Sequence, residues 1–258
     1  MTEHVRIRVD GVVVPDDTLA QLAMVNYGHF TAMQIRSGQV RGLTKHINRL
    51  QLSHTELFGT TIDPATIVNH IQQATLGTPD SYLRVTLFET DPGVVRIMTV
   101  LRDPVDPPSA AVSVVPVVYQ RPVAHIKHVG SFGQLYCGRL ARNQGFDDAL
   151  LTTPDGEVSE TSIANIGFID SNERIIWPSA PSLHGITWQL LDEALEGTAT
   201  KVRRRPVMLD EVSGFVGAFV ANSVGVAPVR KIGGLASYDA TAARDVVKLY
   251  EAISWDNI

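Results

Sequence analysis

The chain has 258 residues, a length that corresponds to one large domain or two small ones. Its residues are 44% hydrophobic and 19% charged, a composition typical of globular proteins that excludes the disordered and collagen-like classes. The 27 acidic and 22 basic residues give a formal charge of −5, so the chain has no net positive field for nucleic acid or anionic lipid.

Cysteine use and hydropathy indicate a reducing location away from membranes. Cys137 is the single cysteine, which excludes an internal disulfide, and the polar start of the chain lacks the apolar segment of a signal peptide. Apolar stretches such as 110–119 reach about half of the roughly 20 residues that cross a bilayer. His125 and His128 are the one close histidine pair, and this pair is too loose a signal for zinc. We therefore expect a cytoplasmic protein without a metal centre.

The first half of the chain predicts two helices flanked by strands. Asp10-Gly11 indicates a tight hairpin turn, and Pro15 ends the second arm. Asp63-Pro64 is typical of a helix start, and Gly59 of a helix end. The predicted elements are a hairpin over 5–9 and 12–14, helices over 43–58 and 63–77, and strands over 82–88, 94–101 and 110–119.

The second half continues with helices between hairpin-linked strands. Gly145 ends a predicted helix, and turns are expected at Pro154-Asp155-Gly156 and Ser171-Asn172. The predicted elements are a helix over 131–143, strands over 148–153, 157–159, 164–170 and 174–177, a helix over 188–194, strands over 201–207 and 217–221, and a helix over 239–254.

This mixture predicts an α+β or mixed α/β fold rather than a doubly wound parallel sheet. The proline-rich stretch 103–108 breaks the chain, but strand 110–119 is expected to remain with the first half. We place the junction at 120–124, between domains at 1–119 and 125–258.

Two charged side chains are candidates for chemistry. Lys127 lies between Ile126 and Val129, and a partly desolvated lysine supplies the neutral amine that a Schiff base needs; a surface lysine with a buried stem is the alternative. Glu160 lies where a predicted strand meets a bend rich in small residues, and is either an inward-facing acid or a solvated strand end.

Two loops are candidates for anion binding. Gly185-Ile186-Thr187 precedes a predicted helix, so its free backbone N–H groups and the Thr187 hydroxyl can face an anion, although many helices begin this way without a ligand. Asn222-Ser223 follows a predicted strand and offers a second set of small hydrogen-bonding groups.

In order and spacing, these motifs resemble the class IV aminotransferases, the fold-type IV pyridoxal-phosphate (PLP) enzymes. That family includes branched-chain aminotransferases, D-amino-acid aminotransferases and aminodeoxychorismate lyases. The resemblance covers nearly the whole chain. It is carried by 45–50, Tyr82-Leu-Arg84, Lys127-His-Val-Gly130, 141–151, 155–165 and Gly185-Ile186-Thr187.

The resemblance implies a function for each cofactor-binding position. Lys127 forms the Schiff base with PLP and shuttles a proton. Glu160 pairs with the pyridine nitrogen, because a carboxylate there keeps the ring protonated and electron-withdrawing. The phosphate ligands would be Arg49, the Ile186 and Thr187 amides, the Thr187 hydroxyl, and Asn222 or Ser223.

The resemblance also implies substrate contacts and an architecture. Tyr27, Thr31, Tyr82 and Arg84 match positions near the substrate. A small N-terminal α/β domain, a larger C-terminal domain with the cofactor between them, and a homodimer are expected, with an amino donor and a keto acid as the small-molecule partners.

Departures from the family pattern leave alternatives open. Phe30-Thr31-Ala32 is closer to the lyases than to the aminotransferases, although Ala32 lacks their second hydroxyl, so β-elimination that releases pyruvate is the alternative activity. Phe132 stands where a tyrosine is common, and Trp188 where an arginine is common. A non-catalytic PLP-binding or structural homologue is the alternative of another class. A serine hydrolase is weaker, since Gly130-Ser131-Phe132-Gly133 does not match the nucleophile motif.

Overall fold

The computed structural model describes residues 5–13, 24–108 and 110–258, and these residues form two compact units. The first unit contains the described residues up to Val105 together with Ile126–Gly130 and Ser254–Ile258. The second contains the described residues of Asp106–His125 and Ser131–Ile253. The mixed α/β class is therefore confirmed. In the described part of the chain, every helix is too short or too polar to span a bilayer.

The first unit is built on a five-stranded antiparallel sheet with strand order β2-β1-β6-β5-β3. The predicted hairpin, strands and helices are all present, although Val14 and Pro15 lie outside the described residues. Its strands are β1 (Arg6–Val9), β2 (Val12–Val13), β3 (Gly28–Ile35), β5 (Ser81–Asp91) and β6 (Val94–Arg102), with β4 (Gln39–Val40) pairing β16 (Asp256–Asn257).

Two helices cover one face of this sheet, α1 (Leu43–Phe58) and α2 (Pro64–Thr75). As predicted, α1 ends at Gly59, whose φ of 68° lies in the left-handed region that glycine tolerates. The Asp63 side chain accepts a hydrogen bond from Ala65 N (3.0 Å) and caps α2. Burial of the apolar helix faces against the sheet stabilises the unit. The shared core includes Met33, Ile35, Leu50, Ile67, Ile71, Leu83 and Leu87.

Strand β3 was not among the predicted elements, yet it forms one edge of the sheet. Its sequence, GHFTAMQI, contains few β-branched residues, so its local β-propensity is weak. Pairing with β5 places Phe30 opposite Thr86 and Ala32 opposite Arg84. Alternate residues face opposite sides, so Met33 and Ile35 enter the helix-facing core while Phe30 lies on the other face.

The second unit is built on a nine-stranded mixed sheet with the order β12-β11-β10-β13-β14-β7-β8-β9, where β15 pairs β14. All of its predicted strands are present, with ends that move by a few residues. They are β7 (Val112–Val118), β8 (Asp148–Thr152), β9 (Val158–Thr161), β10 (Asn165–Ile169), β11 (Ile175–Pro178), β12 (Val202–Arg205), β13 (Gly217–Asn222), β14 (Gly225–Ile232) and β15 (Ala236–Ser237).

Strand β7 was expected in the first domain, which was predicted to end at residue 119. It pairs in parallel with β8 and with β14, so it belongs to the second unit and the division falls after Val105. Parallel partners are distant in sequence, and a local pattern does not identify them. Strand β14 was also missed, because Pro228 interrupts its pattern.

Three α-helices of the second unit follow the predictions, namely α3 (Phe132–Asn143), α4 (Ile186–Leu195) and α5 (Arg244–Ala252). A 3₁₀ turn over Ala240–Ala243 occupies the start of the predicted final helix, with Asp239 as its cap. Helices α4 and α5 share a core with β11 and β13 that contains the stacked pair Trp177 and Trp188.

Candidate functional site

Lys127 lies beside the edge strand of the first unit. The backbone of its segment pairs with β3: Phe30 N donates to Lys127 O and Val129 N donates to Gly28 O, both at 2.9 Å. These two bonds hold the segment in extended conformation ahead of α3. The Lys127 side chain is half-buried, and its Nζ lies 4.9 Å from the centre of the Phe30 ring.

Arg84 lies over the same Phe30 ring, with its Cζ 3.6 Å from the ring centre. Its Nε donates to Thr86 Oγ1 (3.2 Å), which orients the guanidinium along β5. Burial lowers the pKa of Arg84, and the neighbouring Arg102 lowers it further while Tyr82 opposes the shift. Alternation along β5 places Tyr82, Arg84 and Thr86 on one face of the strand, which gives this face of the sheet a phenol and a guanidinium.

Thr31 faces the other way, toward α1. Arg49 Nη2 donates to Thr31 Oγ1, and the same hydroxyl lies 2.6 Å from His46 Nδ1. Burial, followed by the charges of Arg49 and Lys127, holds the pKa of His46 well below its ordinary 6.5. Burial lowers the pKa of Arg49 to about 10, with Tyr82 opposing the shift. In the described residues Thr31 therefore contacts the predicted phosphate arginine and lies on the opposite face from Phe30 and Arg84.

Tyr27 lies at the end of α1. Its hydroxyl donates to Leu57 O (3.0 Å) and its ring meets Phe58 edge-on at 5.8 Å. The residue is 45% exposed. Within the first unit, Tyr27 thus packs on the C-terminal turn of α1.

Glu160 lies in the second unit as half of a buried ion pair. Arg121 Nη1 donates to Glu160 Oε1 (2.9 Å), and the two side chains are 4% and 7% exposed. Leu183 N donates to Glu160 Oε2 (3.3 Å), and Arg121 Nη1 also donates to Ala124 O (3.2 Å). The inward-facing alternative for Glu160 is thus the one observed. A buried carboxylate needs a cation and hydrogen bonds to remain ionised, and both are present.

The two predicted anion loops of the second unit meet each other. Thr187 Oγ1 donates to Asn222 O (2.6 Å), and Asn222 Oδ1 accepts from Val224 N (2.8 Å), which closes the turn around Ser223. Helix α4 begins at Ile186 without a side-chain cap, so its first N–H groups have no partner within the helix.

Gly185 and Asn165 fix the position of this helix start. A Cβ on Gly185 would lie 2.2 Å from Asn165 Oδ1, so no other residue fits without a shift. Asn165 Nδ2 in turn donates to Leu183 O (2.6 Å).

Each unit contains groups of the kind that bind the cofactor implied by the resemblance. Arg49 Nε is buried and has no hydrogen-bond partner among the described residues, which leaves a charged donor for an anion. The uncapped start of α4 is a second source of donors for a phosphate. Glu160 is a buried carboxylate of the kind that keeps a pyridine nitrogen protonated, and Lys127 is a half-buried amine.

Three residues that the sequence analysis did not single out contribute to this chemistry: Arg121 beside Glu160, His46 beside Thr31, and Phe30 beneath Lys127 and Arg84. The local pattern contained one usable signal, since His46 and Arg49 are three residues apart on a predicted helix and thus share a face. No local signal pairs Arg121 with Glu160, because 39 residues separate them.

Comparison with known proteins gives matches along most of the chain. The model of a family described as amino-transferase class IV matches residues 28–232. A probable branched-chain-amino-acid aminotransferase of Rickettsia felis is 31% identical over 84 residues, 32% of this chain. That alignment spans 29% of the length of the Rickettsia relative.

Solved structures share the fold at low identity. A putative 4-amino-4-deoxychorismate lyase from Legionella pneumophila matches with a TM-score of 0.83 and 18% identity, over 90% of this chain and 93% of that one. A hypothetical aminotransferase from Mycobacterium tuberculosis in a PLP-bound form matches with a TM-score of 0.78 and 19% identity, over 90% of each chain.

Proposed function

The chain belongs to the class IV aminotransferases, and from this premise we propose that it is a PLP-dependent enzyme that moves an amino group between an amino acid or amine and a 2-keto acid. The observation that carries the proposal is the position of Lys127, a half-buried amine pinned to β3 in the same unit as Arg49 and Arg84. The matched region includes both Lys127 and Glu160.

Lys127 would bind the cofactor through a Schiff base and carry the proton of the reaction. When bound, PLP accepts the electron pair that remains after the Cα–H bond of the amino donor breaks. Once the amino donor has displaced it from the cofactor, the Lys127 amine would take that proton from Cα and deliver it to C4′ of the cofactor. The two backbone bonds to β3 fix the start of its side chain, which limits the distance over which the proton moves.

Glu160 would keep the pyridine nitrogen protonated. Its carboxylate is held by Arg121 at one oxygen and by Leu183 N at the other, so its orientation is set before a ligand arrives. Preorganised charge of this kind costs no reorganisation during the reaction.

The phosphate ligands that the family resemblance implies are Arg49 in the first unit and, in the second, the first N–H groups of α4 at Ile186 and Thr187 and the Asn222-Ser223 turn. Tyr82 and Arg84 would receive the carboxylate of the amino donor and of the keto acid, because the Arg84 guanidinium donates to Thr86 through Nε and can present its Nη groups to a carboxylate. Tyr27 is exposed and would serve a neighbouring protomer of a homodimer. We place the enzyme in the reducing cytoplasm because its cysteine is free.

The test is a spectral titration of the purified protein with PLP, followed by borohydride reduction and peptide mapping. We expect an absorbance band at the boundary between the ultraviolet and visible ranges, and a reduced cofactor adduct on Lys127. The matched control, Lys127→Ala, should form no adduct at that position. A protein that stays colourless with excess PLP would support the non-catalytic homologue instead.

The lyase remains the second candidate, because Phe30-Thr31 matches its pattern. The two activities separate in one assay. An aminotransferase turns over only when a keto acid is supplied, whereas a lyase releases pyruvate from aminodeoxychorismate without one. Consumption of 2-oxoglutarate or pyruvate with an amino donor supports the aminotransferase.

A further inference from the structure

A polar pair, Thr31 and His46, lies beside Arg49 in the contact between β3 and α1. Thr31 is fully buried on β3, and His46 is buried on α1. Arg49 and His46 stand three residues apart on the same face of α1, so both reach the Thr31 hydroxyl between them.

The protons of this cluster can be assigned from its hydrogen bonds. Arginine only donates, so Thr31 Oγ1 accepts from Arg49 Nη2. The hydroxyl proton has one acceptor within reach among the described residues, His46 Nδ1 at 2.6 Å. His46 is neutral, since burial lowers its pKa well below 6.5, and Nδ1 can therefore accept. The proton of the imidazole is consequently on Nε2.

The hydrogen bond from Arg49 to Thr31 holds only one nitrogen of the guanidinium. Arg49 Nη2 is tied to Thr31, while Arg49 Nε is buried with no partner among the described residues. A buried charged donor without an acceptor is costly, so Arg49 still requires an anionic partner.

We propose that Thr31 and His46 are positioning residues that hold the Arg49 guanidinium in place for the phosphate of PLP and do not contact the substrate. The inference rests on the proposed function and replaces the expectation that Thr31 contacts substrate. His46 acts through Thr31. Its Nδ1 accepts a hydrogen bond from the Thr31 hydroxyl, and this orients the oxygen lone pairs of Thr31 toward Arg49. Changes at Thr31 or His46 should therefore alter the contribution of the phosphate to cofactor binding, and not the contribution of the ring.

Binding of PLP and of pyridoxal, which lacks the phosphate, separates this function from general stability. Thr31→Val keeps the shape of the side chain and removes the hydroxyl. We expect Thr31→Val to weaken PLP binding by about ten- to hundredfold, the value of a hydrogen bond to a charged group, and to change pyridoxal binding less than about twofold. Thr31→Ser keeps the hydroxyl and should restore wild-type PLP binding.

Two further variants complete the design. Thr99→Val makes the same change at another buried threonine of the sheet, on β6, and should leave both constants unchanged. His46→Asn can replace Nδ1 with an amide oxygen and should retain PLP binding, whereas His46→Leu should show the same phosphate-specific loss as Thr31→Val. If Thr31→Val does not fold, comparison of His46→Asn with His46→Leu tests the same proposal.

The outcomes are distinct. Equal weakening of PLP and pyridoxal in Thr31→Val and His46→Leu, or no weakening of either, overturns the positioning proposal while the proposed function stands. Wild-type protein that binds neither compound, or binds them equally, overturns the proposed function, and the positioning proposal with it.

Discussion

The buried ion pair between Arg121 and Glu160 allows a quantitative prediction for Arg121→Met. The variant keeps the length of the side chain and removes the cation that donates to Glu160 Oε1 at 2.9 Å. Because both side chains are almost fully buried, removal of one partner leaves a charge in a low-dielectric site, which costs about 3–5 kcal/mol. For a chain of this size that corresponds to a fall in melting temperature on the order of 10 °C.

The assay is urea unfolding of the apoprotein for Arg121→Met, Glu160→Gln and the double variant. We expect the double variant to lose less than the sum of the single losses, since the second change removes the charge that the first left without its partner. Arg205→Met is the matched control in the same unit. The Arg205 and Glu211 side chains are 40% and 34% exposed, and an exposed ion pair contributes about 0.2–1 kcal/mol to the free energy of unfolding.

Strictly additive losses, or an Arg121→Met protein as stable as the wild type, would refute the reasoning.

Three further changes have expected outcomes. Gly185→Ala places a Cβ 2.2 Å from Asn165 Oδ1, so it should shift the start of α4 and weaken PLP binding in the spectral titration; an unchanged constant would contradict that packing. Asp63→Ala removes the bond from Ala65 N and should cost about 1 kcal/mol in urea unfolding without any change in PLP affinity. Burial lowers the pKa of His29 to about 3, so the unfolded chain takes up a proton near pH 6.5 before the folded one does, and stability falls as the pH drops toward 3. His29→Leu should flatten that part of the stability curve, and an unchanged slope would argue against a neutral His29.

Local sequence patterns were sufficient to predict the elements in which a residue's neighbours in sequence are also its neighbours in space. Helix α1 and the cap of α2 follow from spacing and from Asp63-Pro64, and the β10–β11 hairpin follows from its turn. The candidate amine and acid, Lys127 and Glu160, were also proposed from their motifs. Each of these features depends on contacts within a few residues, or on residue types in a fixed order.

The side of the sheet on which a residue lies was decided by the tertiary structure. Thr31 was expected to face substrate, but pairing of β3 with β5 sets which residues alternate toward α1. One step of register would move Thr31 to the Phe30 face, and no local signal in β3 distinguishes the two registers. The same limit applies to β7, whose parallel partners lie far along the chain.

The sequence by itself determined the helices, most of the strands and the order of the reactive residue types, because short-range periodicity and turn chemistry are local. Only the tertiary structure decided which polar groups pair: Arg121 with Glu160 as an ion pair, and Arg49 with the Thr31 hydroxyl that also bonds His46. Those pairings arise because burial removes water as the alternative partner, and which groups are buried together is a property of the packed chain.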